Sequence, residues 1–152
     1  MDIDLRISGV MYETLRNHLF PGDGKESIAI AVCGTLLSDD SVKVMVHKLV
    51  IIPKEDCLVR SEGKITWRTE KLIDALPLAS QKKFSILKIH SHPTGYQQFS
   101  ETDDKADAEI FAAIFSWIDD VEFHVSAVML PDGQVFGRAI RRNGSFQSLK
   151  KL

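Results

Sequence analysis

From Ile28 to Gly34 the chain is apolar or small at every position, whereas from Val42 apolar residues first alternate with polar ones and then close in the run Leu49-Val50-Ile51-Ile52. The first pattern is that of a mostly buried strand. The second is a strand with one wet face whose end is buried. Ser38-Asp39-Asp40-Ser41 turns one into the other, and Pro53 ends the pair. Upstream, Ile3 to Ile7 predicts a short strand and Val10 to Phe20 a helix, which Pro21-Gly22-Asp23-Gly24 stops. Downstream, Lys54 to Lys64 is polar and reads as irregular, and Ile65 to Trp67 reads as a short strand. A helix follows from about Thr69 to Gln81 with Leu72, Ile73, Leu76 and Ala79 inward, its second half weakened by Pro77, which lacks an amide hydrogen. Phe84 to Ile89 is apolar and β-branched enough for another strand. Ser100 opens a helix in which Ala106, Ile110, Ala113, Ile114, Trp117 and Ile118 recur at helical spacing. Glu122 to Leu130 and Gln134 to Ile140 flank Pro131-Asp132-Gly133 as a hairpin, and the tail after Arg141 reads as frayed.

These elements predict an α+β fold, an α/β-type sandwich in which helices cover the faces of a mixed, curved sheet. With 152 residues, 44% hydrophobic and 26% charged, and with no repeat or linker, residues 1–152 read as a single domain with one substantial core. Nineteen basic and twenty-one acidic side chains leave a formal charge of −2, which argues against nucleic acid or an anionic membrane as partner. A charged-then-apolar leader is absent, as is any apolar run of about 18 residues, so the expectation is a cytoplasmic protein. Cys33 and Cys57 make no Cys-x-x-Cys pair and read as two free thiols.

The candidate chemistry lies at His90-Ser91-His92-Pro93, followed after six residues by Ser100-Glu101-Thr102-Asp103. Two residues apart on a strand, His90 and His92 face the same way, their Cα atoms roughly 6.5 to 7 Å apart, so both imidazoles can reach one metal ion. Pro93 cannot continue a ladder, which puts the histidines at the strand's end. Ser100 is a natural N-cap, and Asp103 falls in the first helical turn; Ser-x-x-Asp before an apolar run is also an ordinary capping box. Two histidines, a carboxylate and a water make the four-coordination of a catalytic zinc, at a site expected at the protein surface. Glu26, at the head of the buried strand, is the candidate base because desolvation there raises a carboxylate's pKa toward neutrality; it also reads as a solvated loop residue. Glu13 is the next candidate. His124 reads as a packed or surface histidine, His18 and His47 are weaker still as ligands, no nucleophile-bearing turn surrounds Cys57, and Trp67 and Trp117 read as core.

An upstream Glu, His-x-His-Pro, six residues and Ser-x-x-Asp make a pattern that resembles the JAMM metalloproteases, also called JAB or MPN-plus domains, from Leu5 to about Ile140. In many members a Gly stands three positions after that Glu, where this chain has Ala29. The resemblance is to compact bacterial members and implies a JAB/MPN-like, cytidine-deaminase-like architecture. It implies Zn2+ held by His90, His92 and Asp103, Glu26 as general base and Ser100 as the residue assisting the oxyanion. Hydrolysis by zinc-activated water is implied too, at a peptide or isopeptide bond after the C-terminal Gly-Gly of a ubiquitin-like protein whose extended tail adds as a strand beside the site. Activating and conjugating enzymes of the same pathway are the implied further partners. An inactive MPN scaffold subunit and a RadC-like member with another substrate are the alternative readings.

Overall fold

In the computed structural model, which describes residues 1–150, seven strands form one mixed sheet: β1 (Asp2–Arg6), β2 (Ile28–Ser38), β3 (Ser41–Ile51), β6 (Ser85–Ser91), β7 (His124–Met129), β8 (Val135–Ile140) and β9 (Phe146–Ser148). Their spatial order is β1-β3-β2-β6-β7-β8-β9, with β1–β3 and β6–β7 parallel and the other neighbours antiparallel. A two-stranded hairpin, β4 (Cys57–Arg60) and β5 (Ile65–Trp67), stands apart from this sheet. Helices α1 (Gly9–Leu19), α2 (Glu70–Lys82) and α3 (Glu101–Trp117) complete the α+β fold.

The central strands are buried on both faces, which is why Ile28 to Gly34 carries no wet position. On the inner face Ala29, Ala31, Cys33, Leu87, Ile89 and Ala127 meet Leu15 and Leu19 of α1. On the outer face Ile28, Ile30, Val32 and Ile86 meet Leu72, Leu76 and Ala79 of α2 and Phe111 and Ile114 of α3. The sheet curls until its ends meet: the Lys150 amide donates to the Ile3 carbonyl (2.8 Å), and Gln147 Nε2 to that of Met1 (2.7 Å). Small side chains make the inner curve possible. A Cβ on Gly137 would lie 2.7 Å from the Ser126 carbonyl oxygen and 2.9 Å from Leu149 Cδ1. A register shift between Val32 and Cys33 in the β2–β3 pairing bends the sheet further.

Several sequence expectations need correction. The segment Lys54–Lys64 is not irregular throughout: a 3-10 turn over Lys54–Asp56 leads into β4, which pairs with β5. The tail after Arg141 is not frayed across the described residues, since β9 pairs with β8; Lys151 and Leu152 lie outside them. Helix α2 runs through Pro77 to Lys82, and its inward face uses Ala75 where Ile73 was expected, Ile73 being 50% exposed. In α3 the buried face is Asp103, Asp107, Phe111, Ile114 and Phe115, so Trp117, expected in the core, is 61% exposed.

His124 is a packed core histidine. Its Nδ1 accepts the Ile86 amide hydrogen (2.9 Å), which leaves the proton on Nε2, facing the Ile118 carbonyl (3.3 Å), while Phe115 lies edge-on at 4.5 Å between centroids. Burial lowers its pKa from 6.5 to about 4. A histidine held neutral contributes stability that is complete above its unfolded pKa and is lost as pH falls from 6.5 toward 4, about 3 kcal/mol in all. Denaturant titrations at pH 7 and pH 4 should therefore show a larger fall in stability for the wild type than for His124→Asn, whose side-chain oxygen can still accept from Ile86; equal falls would refute the assignment.

Candidate metal centre

Strand register brings the upstream glutamate to the histidines. Ile28 of β2 sits opposite His90 of β6 in an antiparallel pair, so the same register carried two residues further sets Glu26 opposite His92. The segment continues the ladder past the end of β2: Ser91 N–H donates to the Ser27 carbonyl (3.0 Å) and Ser27 N–H to Ser91 Oγ (2.9 Å). Glu26 N–H donates to the Ser61 carbonyl of the β4–β5 hairpin (2.7 Å). Residues at 26, 90 and 92 then share the outer face, and ligand atoms of Glu26, His90 and His92 lie within 4.8 Å of one another.

Helix α3 supplies the fourth group. Its capping box is complete, with Asp103 N–H donating to Ser100 Oγ (3.0 Å) and Ser100 N–H to Asp103 Oδ2 (2.8 Å). That holds the carboxylate against both imidazoles: Oδ1 is 3.0 Å from His90 Nε2 and Oδ2 is 3.0 Å from His92 Nε2. His90 Nε2 and His92 Nε2 are themselves 3.2 Å apart. His92 Nδ1 faces the Tyr96 carbonyl at 2.8 Å, in a turn where Gly95 takes φ +83°. A carbonyl only accepts, so Nδ1 carries the hydrogen and the Nε2 lone pair points inward. Two imidazole nitrogens and a carboxylate converging at this range form a donor set suited to a metal ion.

The side chains are more enclosed than the expected surface site: His90 is 1% exposed, Glu26 3%, His92 4% and Asp103 6%. Access is through a pocket of about 200 Å³ lined by Glu26, Glu62, Gly63, His92, Thr94, Tyr96 and Ser100. Burial, reinforced by the Asp103 carboxylate and opposed by His92 and Lys88, raises the Glu26 pKa to about 7. Burial pushes His90 down. At His92 burial acts the same way, but the bonds to Asp103 and Tyr96 outweigh it and leave the pKa raised. Burial works against the Asp103 charge, yet both histidines hold its pKa well below the usual carboxylate range. The Ser100 hydroxyl oxygen accepts the cap's hydrogen bond, and its own hydrogen stays free to be donated elsewhere, so capping and oxyanion assistance do not compete.

Behind these four side chains lies a set of charges that motif reading passes over. Lys88, Ser126 and Arg138 stand opposite one another on β6, β7 and β8, and Asp107 of α3 lies over the row, 2.8 Å from Lys88 Nζ and 2.8 Å from Arg138 Nη2. The signal was a lysine inside Ile86-Leu87-Lys88-Ile89 and an aspartate one turn after Asp103, each a charge where a core residue belongs. The remaining candidates stay apart from the site. His18 bonds to the Ile28 carbonyl at 2.8 Å and has its pKa lowered by burial, His47 packs edge-on to Phe84, Trp67 packs partly buried on the outer core, and Cys33 and Cys57 are free thiols.

Residues 10–142 match the family of prokaryotic homologs of the JAB domain, Prok-JAB. The chain belongs to that family. The solution structure of a protein from Desulfitobacterium hafniense is similar to this Prok-JAB chain at a TM-score of 0.57, with 13% identity over 97% of this chain and 94% of that one, a likeness of fold alone. No curated protein matches the sequence significantly. Among the described residues, no helix of the Prok-JAB chain is long and apolar enough to cross a membrane.

Removing Asp107 leaves two cations facing each other in a buried layer. Asp107→Asn should cost about 3 to 5 kcal/mol in urea unfolding, the range for breaking one side of a buried ion pair; a loss under about 1 kcal/mol would show that the layer is solvated.

Proposed function

We propose that this chain is a zinc-dependent peptidase or isopeptidase that cuts after the C-terminal Gly-Gly of a ubiquitin-like protein or its conjugates. The observation that carries the reading is the meeting of His90 Nε2, His92 Nε2 and the Asp103 carboxylate within 3.2 Å, beside a glutamate whose pKa stands at about 7. His90, His92 and Asp103 would hold the ion, three protein ligands being the number a catalytic zinc takes. Bound there, zinc supplies Lewis acidity that lowers the pKa of water from near 16 to roughly 7.

Glu26 takes the proton from the attacking water and later hands it to the leaving amine; a group titrating near neutrality does both with little loss. As the carbonyl becomes tetrahedral, the Ser100 O–H donates to its oxygen, an interaction worth about 3 kcal/mol in other hydrolases. A groove of about 540 Å³ runs between β5 (Ile65, Thr66, Trp67) and α3 (Thr102, Lys105, Ala106, Glu109, Ile110). The outer edge of β5 supports the added-strand reading, in which an extended tail pairs with it and delivers its terminal glycines to the pocket.

Purified protein should hold about one zinc per chain by elemental analysis, lost on chelation and in the His90→Ala/His92→Ala variant, with the fold retained. Full occupancy in that variant would remove the assignment, and unfolding on chelation would make the metal structural. Glu26→Gln should keep zinc and fold but lose a factor of about 100 to 10,000 in kcat on a ubiquitin-like fusion cut after Gly-Gly. Unchanged turnover would move the base elsewhere, though not to Glu13, which is exposed on α1 at the opposite face of the sheet. A zinc-loaded wild type that cleaves no such substrate would favour the scaffold reading.

A further inference from the structure

The Glu26 carboxylate is oriented without a hydrogen bond from any neighbouring side chain among the described residues; burial and nearby charges alone perturb it. Its placement must therefore come from the segment on either side, and one residue holds that segment at three points, two through side chains and one through a backbone carbonyl. Arg60, at the end of β4, has a side chain only 11% exposed. Its guanidinium pairs with both carboxylate oxygens of Asp23, Nη2 lying 3.0 Å from Oδ1. The same Nη2 donates to Ser27 Oγ at 2.9 Å and reaches the Lys25 carbonyl at 3.5 Å. Residues 23, 25 and 27 bracket Glu26, and the next residue of the hairpin, Ser61, accepts the Glu26 amide hydrogen. Asp23 in turn closes the preceding turn by accepting from the Lys25 amide (3.2 Å), between Gly22 and Gly24 at φ +96° and +69°.

We propose that Arg60 is a positioning residue for Glu26: its planar fork fixes the segment 23–27 so that the carboxylate stands over the metal centre. The proposal rests on the hydrolase reading for its catalytic consequence, and on the hydrogen bonds alone for the clamp itself. The hairpin that carries Arg60 and Ser61 also supplies Glu62 and Gly63 to the wall of the site pocket and Ile65 to Trp67 to the groove. Whatever displaces the hairpin therefore displaces the base. A misplacement of about 1 Å at a reacting group can cost about 100-fold in rate.

Two measurements on the zinc-loaded chain test this. In the first, amide hydrogen exchange at residues 25–27 should be at least about tenfold faster in Arg60→Met than in wild type, with Leu87 and Ile89 of β6 unchanged, and Arg60→Lys should fall between, since lysine restores the charge but not the fork. In the second, Arg60→Met should lower kcat on the Gly-Gly fusion by about 10- to 100-fold with KM within about twofold, and should add no further loss in a Glu26→Gln background. Unchanged exchange, a loss carried in KM, or a loss that multiplies with that of Glu26→Gln would overturn the proposal. A wild type that binds zinc and cleaves nothing would count against the hydrolase reading; exchange would then decide the clamp, sustained by faster exchange confined to residues 25–27 and overturned by unchanged protection.

Discussion

Asp107 joins the helix that carries one half of the site to the sheet that carries the other half. Helix α3 runs antiparallel to β6, and four residues of helix advance about 6 Å while two residues of strand advance about 6.6 Å. The two elements therefore stay in step over three ranks. Asp103 meets His90 and His92, Asp107 meets Lys88 and Arg138, and Phe111 packs in the apolar layer with Ile86. A slip of one residue would turn Asp103 by about 100° away from the imidazoles. The same turn would carry Phe111 and Ile114 out of the apolar layer, so packing and ion pairs specify one register, and the middle rank adds a polar match that only this register makes. Arg138 is itself held, its guanidinium 3.7 Å from the Phe99 ring centroid and 3.0 Å from Asp104.

Around that anchor the fold divides its labour by sheet face. The inner core, filled by α1 and by alanines and glycine on the curved strands, contributes no functional side chain. Every site residue except Ser100 and the pocket loops projects from the outer face or from α3 upon it. The hairpin β4–β5 is a third unit, tied to Glu26 through Arg60 and Ser61 rather than through the main sheet. The centre is thus assembled from three bodies with three distinct kinds of adhesive: a charged rank for α3, backbone ladder for β2 and β6, and one arginine fork for the hairpin.

How much of this was legible in the sequence follows from the range over which each feature is determined. His90, His92, Ser100 and Asp103 sit in two local patterns, a strand end and a capping box, and the structure brings them together. Glu26 depends on the pairing of Ile28 with His90, 62 positions away, which no local pattern encodes. The face of α3 was misread because Trp117 and Ala113 are apolar and outward while Asp103 and Asp107 are charged and inward. Hydrophobic periodicity cannot see a buried ion pair. Strands β4 and β9, four and three residues long with Arg60 or Gln147 in them, owe their order to a neighbouring strand and carry almost no signal of their own.

The closure of the large sheet also bears on how this chain avoids its own kind. An open sheet ends in two rows of unpaired amides and carbonyls, which invite sheet-to-sheet association. Here the Lys150 amide and the Gln147 side chain engage the backbone of Ile3 and Met1, so part of each outer edge is covered by the other. Among the described residues no strand pairs with the outer edge of β5, which is three residues long, beside a groove rimmed by Lys64, Lys105 and Glu109. An edge that short and that charged is a poor template for fibril growth, yet it offers enough backbone to register a single extended guest. Strand pairing that the fold restrains at its flanks is thus left available beside the candidate metal centre.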